Sequence, residues 1–171
     1  MYFSCMQIGF FLASWGMLRG SSFLLNKSVK HYENLIKLIS KSSCNPIWNI
    51  DVDNYNKDKN LEVLLDYGDR IAKNLSDGDN ENVTDTLKTK IILGVFGSVP
   101  ALDTYNKKTL NVHSFSRNNL KKINEFYVKN KDKIDSIKIN TIDYYTEKET
   151  DRLYSKAKIV DMIGFIAGQK Q

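Results

Sequence analysis

Proline, cysteine and histidine are scarce in this sequence. Its 171 residues include two prolines, two cysteines and two histidines. Cys5 and Cys44 stand in no C-x-x-C spacing and in no histidine cluster, so a zinc site is not expected. We interpret both as buried free thiols of a protein from the reducing cytoplasm.

The motifs of several catalytic and nucleotide-binding sites are missing as well. The sequence contains no G-x-G-x-x-G, no G-x-x-x-x-G-K-[ST] and no G-x-S-x-G. These are the glycine-rich loops that bind phosphates and the turn that presents a nucleophilic serine. His31 is predicted on a lysine-rich helix face and His113 in a polar loop, and neither cysteine has a histidine near it in sequence. A serine or cysteine hydrolase is therefore not expected, and no cofactor is predicted.

Two pairs of aspartates are candidate metal ligands, but neither pair predicts a metal site. The acidic stretch that begins at residues 77–79 superficially resembles a calcium loop, but its sixth position is Asn82 instead of glycine and its twelfth is Lys88 instead of glutamate. We predict a solvated turn there and no bound metal. The other pair, Asp51 and Asp53, is predicted to cap a helix.

An apolar stretch, MYFSCMQIGFFLASWGML, opens the chain. No basic residue precedes it, whereas a secretory signal has a basic segment at that place. Ser4, Gln7 and Gly9 interrupt it, and it is short for a membrane span. We predict a helix over residues 3–18 that is buried on most sides, and no membrane partner. Its lack of a polar lead-in has two interpretations: the natural chain begins earlier, or the helix packs on a second copy or another protein.

Elsewhere the apolar residues recur at helical spacings of three and four. The predicted helices cover roughly 28–41, 59–75, 84–96, 117–131 and 146–167. The last begins at Thr146, where T-E-K-E matches a capping box, and the DSIKINTIDYY before it alternates in a way that favours an extended segment. The pattern predicts an all-α fold: a single globular domain over residues 1–171 with about six to eight helices in an orthogonal or layered bundle.

The net charge of +5 is unevenly distributed. Residues 49–85 hold four basic and ten acidic side chains, whereas residues 106–138 hold nine basic and three acidic ones. Within the basic segment, the spacing of Lys122, Lys129 and Lys133 predicts one shared helix face. The opposite, buried face is predicted to consist of Leu120, Ile123, Tyr127 and Val128. Such a lysine face could neutralise several phosphates of a nucleic acid at once; the alternative is a solvated face that only aids solubility.

The stretch WGMLRGSSFLL places a charge between two apolar segments. Arg19 needs a partner or water there, because an unpaired buried charge is costly. The G-S-S that follows offers backbone N–H groups and hydroxyls, so Arg19, Ser21 and Ser22 are predicted to bind a small anion. The alternative is an internal salt bridge from Arg19 to Asp103 or Asp161.

The stretch TKIILGVFGSVPALDTY, residues 89–105, predicts an apolar helix, a glycine turn and a short helix that Pro100 would start. Its P-x-x-D-T step resembles that of helix-hairpin-helix DNA glycosylases, in which a proline-containing step introduces the catalytic aspartate. The resemblance implies Asp103 as a catalytic candidate, together with Lys90 on the preceding helix. The L-P-G-x-G hairpin with which that family grips the DNA backbone is missing here. The alternative is that Asp103 caps a helix or forms an internal salt bridge.

Three stretches together, WGMLRGSSFLL, TKIILGVFGSVPALD and YSKAKIVDMIGF, make the chain similar to a group of bacterial helical proteins. That likeness implies the helical fold and no particular activity. In the third stretch Asp161 lies among apolar neighbours and can pair with Lys158, three residues earlier. We predict that Asp103 lies within salt-bridge reach of Arg19 or Lys90. If these residues and Asp161 meet in space, they form a buried polar cluster.

The function predicted from the sequence is that of a cytoplasmic bacterial protein that binds nucleic acid or another phosphate-bearing partner. The first alternative is a non-catalytic interaction module that docks on itself or on a partner protein through residues 3–18. The second is a base-excision glycosylase or lyase that uses Lys90 or Asp103.

Overall fold

The computed structural model describes residues 1–41, 46–76, 78 and 82–170, and these ranges form a mostly helical single domain. The α-helices within them are α1 (Tyr2–Ser14), α2 (Glu33–Ser40), α3 (Asp58–Leu75), α4 (Asp85–Phe96), α5 (Thr104–Leu110), α6 (Arg117–Lys129), α7 (Lys131–Ser136) and α8 (Lys156–Gln169). Short 3-10 helices are Phe23–Asn26, Val29–Tyr32, Pro46–Asn49 and Val52–Asn54. The predicted all-α class is confirmed. None of the helices in the described ranges combines the length and hydrophobicity that crossing a membrane requires.

Helix α1 is buried on one face only. Cys5, Ile8 and Leu12 are buried, whereas the side chains of Phe3 and Phe10 are 77% and 73% exposed. The prediction of a helix buried on most sides is therefore wrong. Its apolar residues surround the helix, but neighbours, chiefly the 3-10 helix Val29–Tyr32, contact one side of it.

Local capping chemistry sets the bounds of α4 as the sequence predicts. The Thr84 hydroxyl oxygen accepts a hydrogen bond from the Leu87 N–H at 3.2 Å, which makes Thr84 the N-cap. Gly97 ends the helix with a left-handed φ of 67°, a conformation that glycine adopts without strain.

Pro100 does not start a helix, contrary to the prediction. Helix α5 begins at Thr104, with Asp103 as its N-cap. The N–H groups of Ala101 and Leu102 instead donate to side chains of other helices: Asp161 Oδ1 on α8 and Thr89 Oγ1 on α4, both at 2.9 Å. These tertiary hydrogen bonds hold the segment before α5 in a non-helical conformation.

The predicted helix over 117–131 ends at Lys129. Asn130 follows with φ −115° and ψ 17°, and α7 begins after it. Leu120, Ile123 and Tyr127 are buried as predicted, but Val128 is 59% exposed. The predicted core position of Val128 is thus wrong.

The capping box predicted at Thr146 is wrong too. Asp143 accepts hydrogen bonds from the N–H groups of Tyr145 and Thr146, which closes a turn rather than a helix. This turn connects strand β1 (Asn140–Ile142) to strand β2 (Glu149–Leu153), which pair antiparallel. The predicted extended segment is confirmed only at Asn140–Ile142, because its first two residues belong to α7 and its last two to the turn. Helix α8 begins ten residues later than expected and is capped by Ser155.

Asp51 joins two helix N-termini, which confirms its prediction as a cap. Its Oδ1 accepts from the N–H of Val52, at the start of a 3-10 helix, and from the N–H of Ala157, at the start of α8, both at 2.7 Å. Its Oδ2 accepts from the N–H of Lys156 at 2.8 Å. Burial raises the pKa of this carboxyl, although the three N–H groups act in the opposite direction.

Helices α5 and α8 approach each other closely through two glycines. A Cβ at Gly164 would lie 2.0 Å from Oδ1 of Asn106, and one at Gly168 would lie 2.6 Å from the carbonyl oxygen of Tyr105. Ile159 of α8 is in the core, whereas Ile166 is 53% exposed. Ile166 and its neighbour Phe165 instead border a cavity.

Candidate functional site

A cavity of about 540 Å³, here called the central cavity, lies between the end of α1, α4, the start of α5 and α8. Its charged lining residues are Arg19, Lys90, Asp103, Lys158 and Asp161. Its apolar wall includes Trp15, Tyr105, Met162, Phe165 and Ile166. The polar cluster considered from the sequence, namely Arg19, Lys90, Asp103 and Asp161, therefore borders one cavity. The stretches WGMLRGSSFLL, TKIILGVFGSVPALD and YSKAKIVDMIGF all contribute residues to it.

Lys90 is the most buried of the three cations, with 6% of its surface exposed. Its Nζ donates a hydrogen bond to the carbonyl oxygen of Trp15 at 2.6 Å, just after the end of α1. A cation suits that place because carbonyl groups carry partial negative charge at a helix C-terminus. Burial lowers the pKa of Lys90, and the nearby carboxylates of Asp103 and Asp161 oppose that shift.

Asp103 acts as a helix cap. Its Oδ1 accepts a hydrogen bond from the Asn106 N–H at 2.9 Å. Within the part of the chain that the structure describes, no N···O distance of 4.0 Å or less joins Asp103 to Arg19 or Lys90, so the predicted salt bridge is wrong. The Lys90 ammonium binds a carbonyl oxygen instead.

One carboxylate oxygen of Asp161 accepts hydrogen bonds from two N–H donors. It is 3% exposed, and its Oδ1 accepts from the Ala101 N–H at 2.9 Å and from Asn106 Nδ2 at 3.0 Å. Its Oδ2 lies 3.4 Å from Nζ of Lys158, which confirms the predicted pair. Burial raises the pKa of Asp161, while Lys158 acts to lower it. This network fixes the segment before α5 onto α8.

The ammonium groups of two lysines lie over the ring of Trp15. Nζ of Lys158 lies 4.4 Å from a Trp15 ring centroid and Nζ of Lys90 lies 5.4 Å from one. Both distances suit cation–π attraction. The sequence predicts Lys158 only as a partner of Asp161 and predicts no contact between Lys158 and Trp15. Their meeting depends on the contact of α1 with α4 and α8, which no local spacing reveals.

Arg19, Ser21 and Ser22 line a second space of about 390 Å³, here called the serine cavity. Asn82 and Thr84 border it as well. The three residues predicted to form an anion site are thus neighbours. The Ser22 hydroxyl oxygen accepts from the Leu24 N–H at 3.4 Å, because Ser22 caps the following 3-10 helix.

A third space of about 550 Å³, here called the hairpin cavity, lies where the β-hairpin meets α1 and α4. Phe11, Phe96, Arg152 and Tyr154 are among its lining residues. It also borders Trp15 and Lys158. The sequence analysis missed this site, because it predicted helix where β2 forms.

The predicted lysine face is only partly a single helix face. Lys122 and Lys129 are exposed on α6, seven residues apart and hence on one side of it. Lys133 is exposed too, but it belongs to α7, after the break at Asn130. The prediction that all three share one helix face is wrong, because α6 ends at Lys129.

The remaining predictions from the sequence concern the two cysteines and the acidic stretch at 77–79. Cys5 is a buried free thiol. Cys44 and the acidic stretch at 77–79, apart from Gly78, lie outside the described residues. Among the residues that are described, no group of three or more histidine, cysteine and carboxylate side chains is arranged to hold a metal ion.

The catalytic roles that the glycosylase resemblance implies for Lys90 and Asp103 stay a prediction. Both residues line the central cavity, as an active site would require. Comparisons of the chain with protein-family models, with curated proteins and with solved structures found no match in any of the three.

Proposed function

We propose that this protein binds a phosphate-bearing ligand in the central cavity. The observation that carries the proposal is the meeting of three cations from separate parts of the chain in one cavity, where two of them, Lys90 and Lys158, lie over the ring of Trp15. Arg19 follows α1, Lys90 belongs to α4 and Lys158 to α8. Arginine and lysine are the side chains that most often bind phosphate in proteins.

The two carboxylates of the cavity cancel this basic character only in part, since Asp161 Oδ2 pairs with Lys158 but with neither Arg19 nor Lys90. Asp103 caps α5, and Asp161 Oδ1 is occupied by two N–H donors. Arg19 has no carboxylate within 4.0 Å among the described residues, and the Lys90 ammonium binds a carbonyl oxygen. An anionic ligand would therefore supply the charge partner that these two side chains lack.

The apolar wall supports a ligand with a planar or apolar body as well as a phosphate. The ring of Tyr105 packs edge to face on Phe165, with centroids 5.0 Å apart. A volume of about 540 Å³ falls in the range of small-molecule sites, which are mostly apolar with a few polar groups. A nucleotide has both a phosphate for the cations and a planar base for the apolar wall of the cavity. A cytoplasmic location, where nucleotides are abundant, also agrees with the free thiol of Cys5.

Calorimetric titration with AMP and with adenosine tests the proposal. We expect AMP to bind and adenosine, which lacks the phosphate, to bind at least about tenfold more weakly, the effect of one or two charge-assisted hydrogen bonds. Arg19→Gln should weaken AMP binding by about tenfold. The matched control is Arg70→Gln, because Arg70 is exposed on α3, pairs with Asp66 and lines none of the three cavities.

Tryptophan fluorescence tests whether the ligand binds beside Trp15, which borders the central and the hairpin cavity. The chain has two tryptophans, so Trp48→Phe leaves Trp15 as the only reporter. AMP should then change the emission of Trp15, which borders the central cavity. Equal binding of AMP and adenosine, or AMP binding that leaves Trp15 emission unchanged, would refute the proposal.

A second candidate function, a protein-interaction module, is favoured by the exposed face of α1. Phe3 and Phe10 are seven residues apart, on one side of the helix, and both are largely exposed. We expect sedimentation velocity to show self-association that Phe3→Ser/Phe10→Ser abolishes. A monomer at all accessible concentrations, with no captured partner that depends on these two rings, would remove this candidate.

A further inference from the structure

The three cavities adjoin one another along the end of α1. The serine cavity and the central cavity share Gly16 and Arg19. The central cavity and the hairpin cavity share Trp15 and Lys158. Each shared residue borders two spaces, so neighbouring cavities are separated by no more than the residues that they share.

Each cavity combines a cation with an aromatic ring. The pairs are Arg19 with Phe23 in the serine cavity, Lys90 with Tyr105 in the central cavity, and Arg152 with Tyr154 in the hairpin cavity. Carboxylates line only the central cavity among the described residues, namely Asp103 and Asp161. The combination of positive charge and ring therefore repeats three times along one side of the molecule.

This repeat matches the chemistry of a nucleic-acid strand. Proteins that bind single strands combine a basic groove, which follows the phosphates, with aromatic side chains on which the bases stack. We propose that the serine, central and hairpin cavities together bind single-stranded nucleic acid, with successive nucleotides in successive cavities. The inference rests on the proposed function, because the central cavity would hold one of those nucleotides.

A single strand fits better than the two obvious alternatives. The bases of a duplex are stacked on each other and cannot enter separate cavities, so a duplex would contact only the cations. A mononucleotide would fill one cavity and leave the cation and the aromatic ring of the other two cavities without a ligand. Since the rings stack on any base, little sequence preference is expected.

The length dependence of affinity tests this inference. Fluorescence anisotropy would compare labelled single strands of one, two, four and six thymidine nucleotides, with an unlabelled, longer GC-rich duplex that stays paired at the assay temperature as competitor. We expect the affinity to rise at least about tenfold from one to four nucleotides as the second and third cavities fill. The slope of log affinity against log salt should steepen by about 0.7 for each phosphate contact added.

Arg152→Gln provides the matching variant, because Arg152 lines the hairpin cavity and not the central one. It should weaken the binding of the hexamer by about three- to tenfold and that of the mononucleotide much less. Arg70→Gln is the control, and circular dichroism checks that both variants fold. The inference is overturned if affinity is independent of length, if the duplex competes as well as the single strand, or if Arg152→Gln weakens both ligands equally. A length-independent result with AMP binding intact would leave the proposed function standing, whereas no binding of any phosphate compound would overturn both.

Discussion

Replacing Gly164 by alanine is expected to destabilise the contact between α5 and α8. The new Cβ would lie 2.0 Å from Oδ1 of Asn106 and 3.1 Å from its amide carbon, far closer than van der Waals contact. The Asn106 side chain must therefore move. It is fully buried and donates the 3.0 Å hydrogen bond to Asp161, so that bond is broken when the amide turns away.

Three contributions set the size of the effect. Alanine forms helix better than glycine by about 1 kcal/mol, which favours the variant. Overpacking of a core costs about 1–3 kcal/mol, and loss of a hydrogen bond to a charged group costs about 1.5–3 kcal/mol. The free energy of unfolding should fall by about 1.5–5 kcal/mol in total. For a chain of this size that lowers Tm by about 3–20 °C.

Thermal and urea unfolding followed by far-ultraviolet circular dichroism would measure this loss. The control is Ala167→Gly on the same helix, at a half-buried position, where only the helix propensity of about 1 kcal/mol is lost. AMP binding by Gly164→Ala should weaken as well, because Asp161 loses a support beside the cavity. A variant that unfolds at or above the wild-type temperature would refute the close approach of the two helices.

Two further predictions concern charge. Burial raises the pKa of Asp161 in the folded protein above the ordinary 3.8. The folded state therefore binds this proton more tightly than the unfolded state does, which stabilises the fold below pH 3.8. That stabilisation is lost as the pH rises through the raised pKa of the folded state. Asp161→Asn, which does not titrate, should therefore gain stability relative to wild type as pH rises from about 4 to 7, measured by urea unfolding; a pH-independent difference would contradict this. Lys122, Lys129 and Lys133 line none of the three cavities, so replacing all three with glutamate should weaken low-salt retention on nucleic acid through longer-range charge without abolishing it, and should leave the helical circular dichroism unchanged. The same reversal at Lys57, Lys59 and Lys73, which are also exposed, is the control, and unchanged retention would show that Lys122, Lys129 and Lys133 are merely solvated.

Features of the fold that depend on neighbouring residues could be predicted from the sequence. The N-cap at Thr84 and the left-handed Gly97 follow from the chemistry of a few consecutive residues. The start of α8 could not be predicted in the same way, because Thr146 carries a valid capping pattern. Asp143 accepts from the Thr146 N–H, the donor that the Glu149 side chain would bind in that capping box, and the strand pairing of the hairpin stabilises the turn instead.

For the site, the sequence could identify which groups need partners but not which partners they have. Lys90 and Asp161 stood out as charges among apolar residues. The sequence predicts a salt bridge from Asp103 to Arg19 or Lys90 and a pair between Lys158 and Asp161. The second forms, but Lys90 binds a backbone carbonyl 75 residues away, and Asp161 also binds the N–H of Ala101, 60 residues away. Any backbone group can satisfy a charged side chain, so residue types alone do not identify these contacts. The hairpin cavity and the role of Trp15 depend on the same tertiary packing.

The double cap formed by Asp51 has a consequence for how the molecule folds. Its hydrogen bonds to α8 join residues 105 and 106 positions apart in the chain. Helices form within microseconds, but contacts between distant parts of a chain form only after a long loop has closed, at an entropic cost. Until that closure, α8 lacks the carboxylate that fixes its N-terminus, and the central cavity lacks one wall. The binding site should thus appear among the last events of folding, after most of the helical content is already present.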